Sequence, residues 1–182
     1  MKNIEVEIRS FITKEDYENL LDRLNREGVL LDKIKEETVY FEAEHRDLRI
    51  RRNEEEAFLV LKEGKIHDAS REEIEIKLRV DDFHKIKNLL NKLGNKDSVR
   101  WFRKRIIFKW GDVKVFLDDT KGYGRILELE KIGNAKNKEK IYKYLEQKMK
   151  SLCIKITPKK IFEKKFKYYK NNWRKILNYK RI

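Results

Sequence analysis

Residues 113–130 read VKVFLDDTKGYGRILELE. Val113, Val115 and Leu117 alternate with Lys114 and Asp118; beyond the turn, Leu127 and Leu129 alternate with Glu128 and Glu130. Period-two alternation puts apolar side chains on one face of a strand and charged ones on the other. TKGYG between the two runs has the glycines of a tight turn. The stretch therefore predicts a hairpin, with antiparallel strands over 113–119 and 125–132. A phosphate-cradling turn is the other reading of GYG, but no helix follows it, and a hairpin turn suits it better.

The same alternation recurs outward from this hairpin. IEVEIR at 4–9 sets Ile4, Val6 and Ile8 against Glu5, Glu7 and Arg9. Further strands are expected near 34–43, 47–53, 56–63, 71–80 and 99–110. Their charged faces carry Arg49 and Arg51, then Lys62, then Glu73, Glu75, Lys77 and Arg79, then Arg103, Arg105 and Lys109. A helix is expected over 13–27, opened by a Thr13/Asp16 capping box, striped by Tyr17, Leu20, Leu21 and Leu24, and stopped by Gly28. Another runs to about Leu93, capped by Asp81 or Asp82 and stopped by Gly94. Two more, over about 137–152 and 159–178, flank Pro158. The expectation is one domain over 1–182, with a sheet in about 1–132 and a helical C-terminal appendix.

Composition narrows the class. The chain has 182 residues, enough for one domain with a real core. Its longest apolar run falls far short of the ~20 residues of a membrane span, and Glu5, Glu7 and Arg9 stand where a signal peptide would be apolar. The single cysteine, Cys153, leaves no internal disulfide and suits a cytoplasmic protein. His45, His67 and His84 lack metal-ligand spacing, which argues against a Cys/His zinc site. No GxxxxGK[ST] occurs, so a P-loop is excluded. The formal charge of +14 is segregated: residues 131–182 hold 18 Lys/Arg against 3 Glu, a net of +15, and the first 130 residues balance to −1. Basic character thus belongs to the tail and not to the body.

A charged strand face is ordinarily a solvated one. Two features favour another reading here. These faces hold almost no Ser, Thr, Asn or Gln, and their signs are sorted: acids on the first and last strands, bases on the third, fourth and sixth. Eight strands can close into a barrel. With the charged face inward, an α+β domain results: a closed eight-stranded antiparallel β-barrel whose apolar outer face is covered by helices. Burying so many charges is costly unless they are paired or meet a charged ligand. Carboxylates suit Mg²⁺ or Mn²⁺, and Arg and Lys suit phosphate oxygens. A polyphosphate between the two walls satisfies both.

These residues resemble the CYTH superfamily of triphosphate tunnel metalloenzymes, which includes class IV adenylyl cyclases, thiamine triphosphatases and inorganic triphosphatases. IEVEIR resembles the family's ExExK signature, with Arg9 in the place of its lysine. In the family's order follow LRIRR (48–52), LVLKEG (59–64), REEIEIKL (71–78), FRKRI (102–106) and VFLDDTKGYGRILELE (115–130). Thr157-Pro158 resembles the motif that opens the last helix of the cyclase branch. The resemblance implies Glu5, Glu7 and Arg9 as catalytic positions, and Glu5, Glu7, Asp118, Glu128 and Glu130 as ligands of Mg²⁺ or Mn²⁺. It implies Arg9, Arg49, Arg51, Lys62, Lys77, Arg103 and Arg105 as the triphosphate cradle, with Glu73 and Glu75 as supporting acids. The expected activity is metal-dependent hydrolysis of inorganic, nucleoside or thiamine triphosphate. The alternatives are a cyclase forming cyclic AMP from ATP and a non-catalytic binder of nucleotide, polyphosphate or RNA.

Phe162, Phe166, Tyr169, Trp173 and Ile176 recur at helical spacing in the tail. The stripe is expected to pack on the domain or on a second copy of the chain. Stacking on nucleic acid is the less favoured use, and the lysines opposite could draw a polyanionic substrate inward. His67 is expected in a turn, with a place at the tunnel mouth as the alternative, and Cys153 is expected to be inert.

Overall fold

The computed structural model describes residues 4–43, 46–63 and 73–178. His45, His67 and the GKIHDA turn lie outside the described residues. The elements run β1 (Ile4–Ile12), α1 (Lys14–Glu27), β2 (Val29–Phe41), β3 (Arg46–Arg52), β4 (Ala57–Glu63), β5 (Glu73–Leu78), α2 (Phe83–Lys92), β6 (Asp97–Trp110), β7 (Val113–Thr120), β8 (Gly124–Gly133), α3 (Lys138–Ser151) and α4 (Lys159–Ile176). The α+β class is as expected. No described helix is long and apolar enough to cross a membrane.

Helix ends follow from local chemistry. The Thr13 hydroxyl accepts from Asp16 N at 3.0 Å, and the Asp16 carboxylate accepts from Thr13 N at 3.1 Å, which closes the expected capping box on α1. The cap expected of Asp82 on α2 does not form. Its carboxylate accepts instead from Arg79 at 3.1 Å and Lys85 at 2.9 Å, and a 3₁₀ turn over Val80–Asp82 leads into the helix. β2 also starts earlier than expected, at Val29, because the chain pairs with β6 directly after Gly28.

The eight strands form one antiparallel sheet in the order β1-β8-β7-β6-β2-β3-β4-β5. Among the described residues β1 and β5 are not paired, so the expected closed barrel is corrected to an open, strongly curled sheet. Charge gives a physical reason. Glu5 and Glu7 on β1 and Glu75 on β5 all face into the curl. Joining these edges would set carboxylate beside carboxylate, which is destabilising. Curling is nonetheless deep: one cavity is lined by side chains from all eight strands.

The apolar core lies outside the curl. Val6, Ile8, Phe108, Val115, Leu117, Leu127 and Leu129 pack under Leu20 and Leu24 of α1 and Ile141, Leu145 and Met149 of α3. Val39, Phe41 and Ile50 pack under Phe83 and Leu90 of α2. Burying a large apolar side chain stabilises by about 1.5–3 kcal/mol, so this outer layer forces the charged faces inward. At one end, Phe162, Tyr169 and Trp173 of α4 join Tyr40, Val99, Tyr123 and Ile126. The tail stripe therefore packs on its own domain. Gly122 is required in the β7–β8 turn: its φ is +73°, and a Cβ there would lie 2.1 Å from Ile176 Cγ2. GYG is the hairpin turn expected.

Candidate active site

The cavity measures about 490 Å³, within the roughly 300–1,000 Å³ of ligand pockets. Period-two alternation on each strand brings Glu5, Glu7, Arg9, Arg49, Arg51, Lys62, Glu75, Arg103, Arg105, Asp118, Glu128 and Glu130 to its wall. Strand order separates the signs. β1 and β8 are neighbours, with Glu7 opposite Glu130 and Arg9 opposite Glu128. β6, β3 and β4 carry the bases on the other side, with β2 between β6 and β3.

On the basic side the guanidinium groups are held by buried acids. Arg105 donates to both oxygens of Asp118, Nε and Nη2 each at 2.7 Å, and Arg103 Nη1 donates to the same carboxylate at 3.2 Å. Arg103 Nη2 donates to Glu36 at 2.6 Å, and Arg51 Nη1 reaches Glu36 at 3.4 Å. Arg51 Nη2 donates to Glu75 at 2.5 Å, and Arg49 Nη1 donates to the Tyr40 hydroxyl at 3.0 Å. The result is a chain of alternating charge across β3, β2, β6 and β7. The Nε groups of Arg51 and Arg103 are buried with no hydrogen-bond partner among the described residues.

Asp118 thus lies with the guanidinium groups, its oxygens taken up as their orienting acid. Lys77, expected in the cradle, is not among the cavity-lining residues. Its ammonium pairs with Glu56 near the end of β5, where the side chain is 67% exposed. Glu73 is described only by its backbone pairing with Lys62. Glu36 is the residue that sequence reasoning missed. Glu36 and Glu37 are consecutive, and the six residues from Glu36 to Phe41 are all buried, so no charged alternation marked the inner face.

Electrostatics differ between the walls. Burial by itself would raise Glu36, but Arg103, Arg105 and Arg51 outweigh it and hold the carboxyl at about 2. Asp118 is likewise held below its usual range by Arg103 and Arg105 against the effect of burial. On the acidic wall the shift is opposite. Burial and then Glu7 push Glu128 up, while burial, Glu5 and Glu128 push Glu130 up to about 7. Like charges crowd there with too little cationic compensation.

The Glu36 shift has a testable sign. Its folded pKa lies below the ordinary 4.5, so its contribution to stability is complete above that pH and is lost as pH falls toward 2. The contribution is about 3 kcal/mol. Urea denaturation of wild type and Glu36→Gln through this acid range should show a flatter pH dependence in the variant. Parallel curves would contradict the assignment.

Hard oxygen donors on a crowded acidic wall suit a hard divalent cation in chemistry and in charge. Among the described residues, no three carboxylates are already gathered at metal-binding spacing. Mutual repulsion between the carboxylates opposes such convergence.

Fold and site together define a class: a curled antiparallel sheet whose charged interior opposes an acidic wall to a basic one. The chain belongs to the CYTH domain family, whose model matches residues 3–155. A Methanocaldococcus jannaschii protein named "Putative adenylate cyclase MJ0240" is 32% identical over 160 residues, covering 83% of this chain and 90% of its own length. A conserved hypothetical protein from Pyrococcus furiosus has a similar structure, with a TM-score of 0.69 and 27% identity over 83% of this chain and 91% of its own. A Hippeastrum protein described as a "Putative adenylyl cyclase" with a dominant triphosphatase activity is alike in fold alone. Its TM-score is 0.61 and its identity 19%, over 84% of this chain and 89% of its own.

Proposed function

We propose that this protein is a divalent-metal-dependent hydrolase of triphosphate-containing substrates. One observation carries the reading: a single cavity opposes Glu5, Glu7, Glu128 and Glu130 to Arg49, Arg51, Lys62, Arg103 and Arg105. Anion binding alone needs the second set and is opposed by the first.

In this reading the guanidinium groups receive the phosphate oxygens, Arg as a planar fork and Lys62 as a point charge. Glu36 and Asp118 hold Arg103 and Arg105 in place beforehand, so little ordering is left for binding. Glu5, Glu7, Glu128 and Glu130 would hold Mg²⁺ or Mn²⁺. A bound ion there supplies positive charge to phosphate oxygens and lowers the pKa of a coordinated water. Arg9, 3.1 Å from Glu7 and paired across the strands with Glu128, keeps a positive charge on the acidic wall and can meet a phosphate from that side.

A second reading, adenylyl cyclase, is favoured by the Methanocaldococcus jannaschii relative's name. The two differ in nucleophile: water at the terminal phosphorus, or the ribose 3′-hydroxyl at the α-phosphorus with pyrophosphate leaving. The experiment is incubation with tripolyphosphate and with ATP, each with Mg²⁺ or Mn²⁺. Metal-dependent orthophosphate release supports the hydrolase. Cyclic AMP with equal pyrophosphate replaces it by the cyclase. Tight binding with neither product overturns both in favour of a binding module.

A further inference from the structure

β5 is an edge strand. Among the described residues its backbone pairs only with β4, so the other side of Glu73–Leu78 presents a row of amide and carbonyl groups. Such an edge is a template for a further strand. Its outer face is bare as well. The α2 cluster shelters Leu59 and Leu78, but Ile74 and Ile76 are 60% and 51% exposed. Apolar side chains on an open edge mark a surface that pairs.

The order of charge says what can pair with it. Residues 73–79 read EIEIKLR: acids precede Ile76 and bases follow it. In an antiparallel pair of two such strands centred on Ile76, that residue meets its own copy, Ile74 meets Leu78, and Glu75 meets Lys77. Acid then faces base on the inner side, and apolar faces apolar on the outer side. Moving the centre by one residue sets Glu75 or Lys77 against its own copy, which is destabilising, so the charges fix the register. The chain's other edge, β1, carries Glu5 and Glu7 on the inner face, whereas a second β5 carries a base there. Lys77 is 67% exposed and pairs with Glu56. An ammonium has three donors, so a second carboxylate can share it.

We propose that β5 pairs antiparallel with β5 of a second copy of this chain, in a two-fold symmetric dimer whose sheet runs through both subunits. The pairing brings Lys77 of the partner subunit to Glu75, which lines the cavity and receives Arg51 Nη2 at 2.5 Å. Each cavity gains a base at its open rim from the other subunit. The inference does not depend on what the cavity binds. One strand pair is a small interface, so the dimer forms reversibly with concentration.

The test is sedimentation equilibrium of the full chain over about a hundredfold range of concentration. Wild type should pass from monomer to dimer. Lys77→Glu and Glu75→Lys should each stay monomeric, because each sets like charges together across the two-fold axis. An equimolar mixture of the two should dimerise, because acid again meets base between unlike chains. Ile76→Lys places two ammonium groups at the centre of the pair and should also stay monomeric, with a fold the exposed position tolerates. Circular dichroism matching wild type establishes that each variant is folded before it is compared. A wild type that stays monomeric, a folded Lys77→Glu or Ile76→Lys that still dimerises, or a mixture of folded variants that stays monomeric would overturn the β5 pairing.

Discussion

Replacing Glu7 by glutamine is expected to lower metal-dependent phosphate release by about 10²-fold or more. Glu7 lines the cavity, and its strand partner is Glu130. Glutamine keeps the volume and removes the charge, so the two carboxylates no longer oppose each other and the acidic wall weakens as a cation site. The contact to Arg9, now at 3.1 Å, can persist with the guanidinium donating to the amide oxygen, and the fold should hold. Tripolyphosphate binding without metal should be kept or improved, since one repelling charge has left the cavity. The pair of measurements separates roles. Lost turnover with retained binding places Glu7 in the chemistry; unchanged turnover would remove the acidic wall from it.

Asp118→Ala is expected to cost about 3–5 kcal/mol of folding stability. The side chain is 4% exposed and takes two bonds from Arg105 and one from Arg103. Its loss strips buried Arg105 of its two-pronged partner and leaves Arg103 with Glu36 alone, which is worse than never having built the pair. A ligand anion can fill that role. Tripolyphosphate should therefore raise the urea midpoint of Asp118→Ala by more than it raises that of wild type. Equal shifts would mean that phosphate does not reach Arg103 and Arg105.

Much of the cavity lining was readable because a strand's side-chain period is fixed at two. Once Val115 and Leu117 were assigned to the core, Asp118 had to face the other way, and the same reasoning placed Arg49, Arg51, Arg103, Arg105, Glu128 and Glu130. The rule fails where both faces are buried. Glu36 lies in such a stretch, and only the approach of Arg51 and Arg103 marks it as part of the site. Lys77 shows a different limit. It has the right period, but lies towards the end of β5, where Glu56 captures it. Asp118 shows a third: a carboxylate beside a metal and one beside a guanidinium look alike in sequence.

The sequence by itself determined the strands, the facing of their charges, the basic tail and the family, because these depend on local periodicity and composition. Tertiary structure alone decided that β1 and β5 are not paired among the described residues, that Glu36 and Asp118 brace the basic wall, and that α4 closes one end with aromatic rings. Those outcomes depend on residues far apart in the chain meeting across the sheet. The balance of charge and burial at each meeting is set by strand order and packing, which no local pattern encodes.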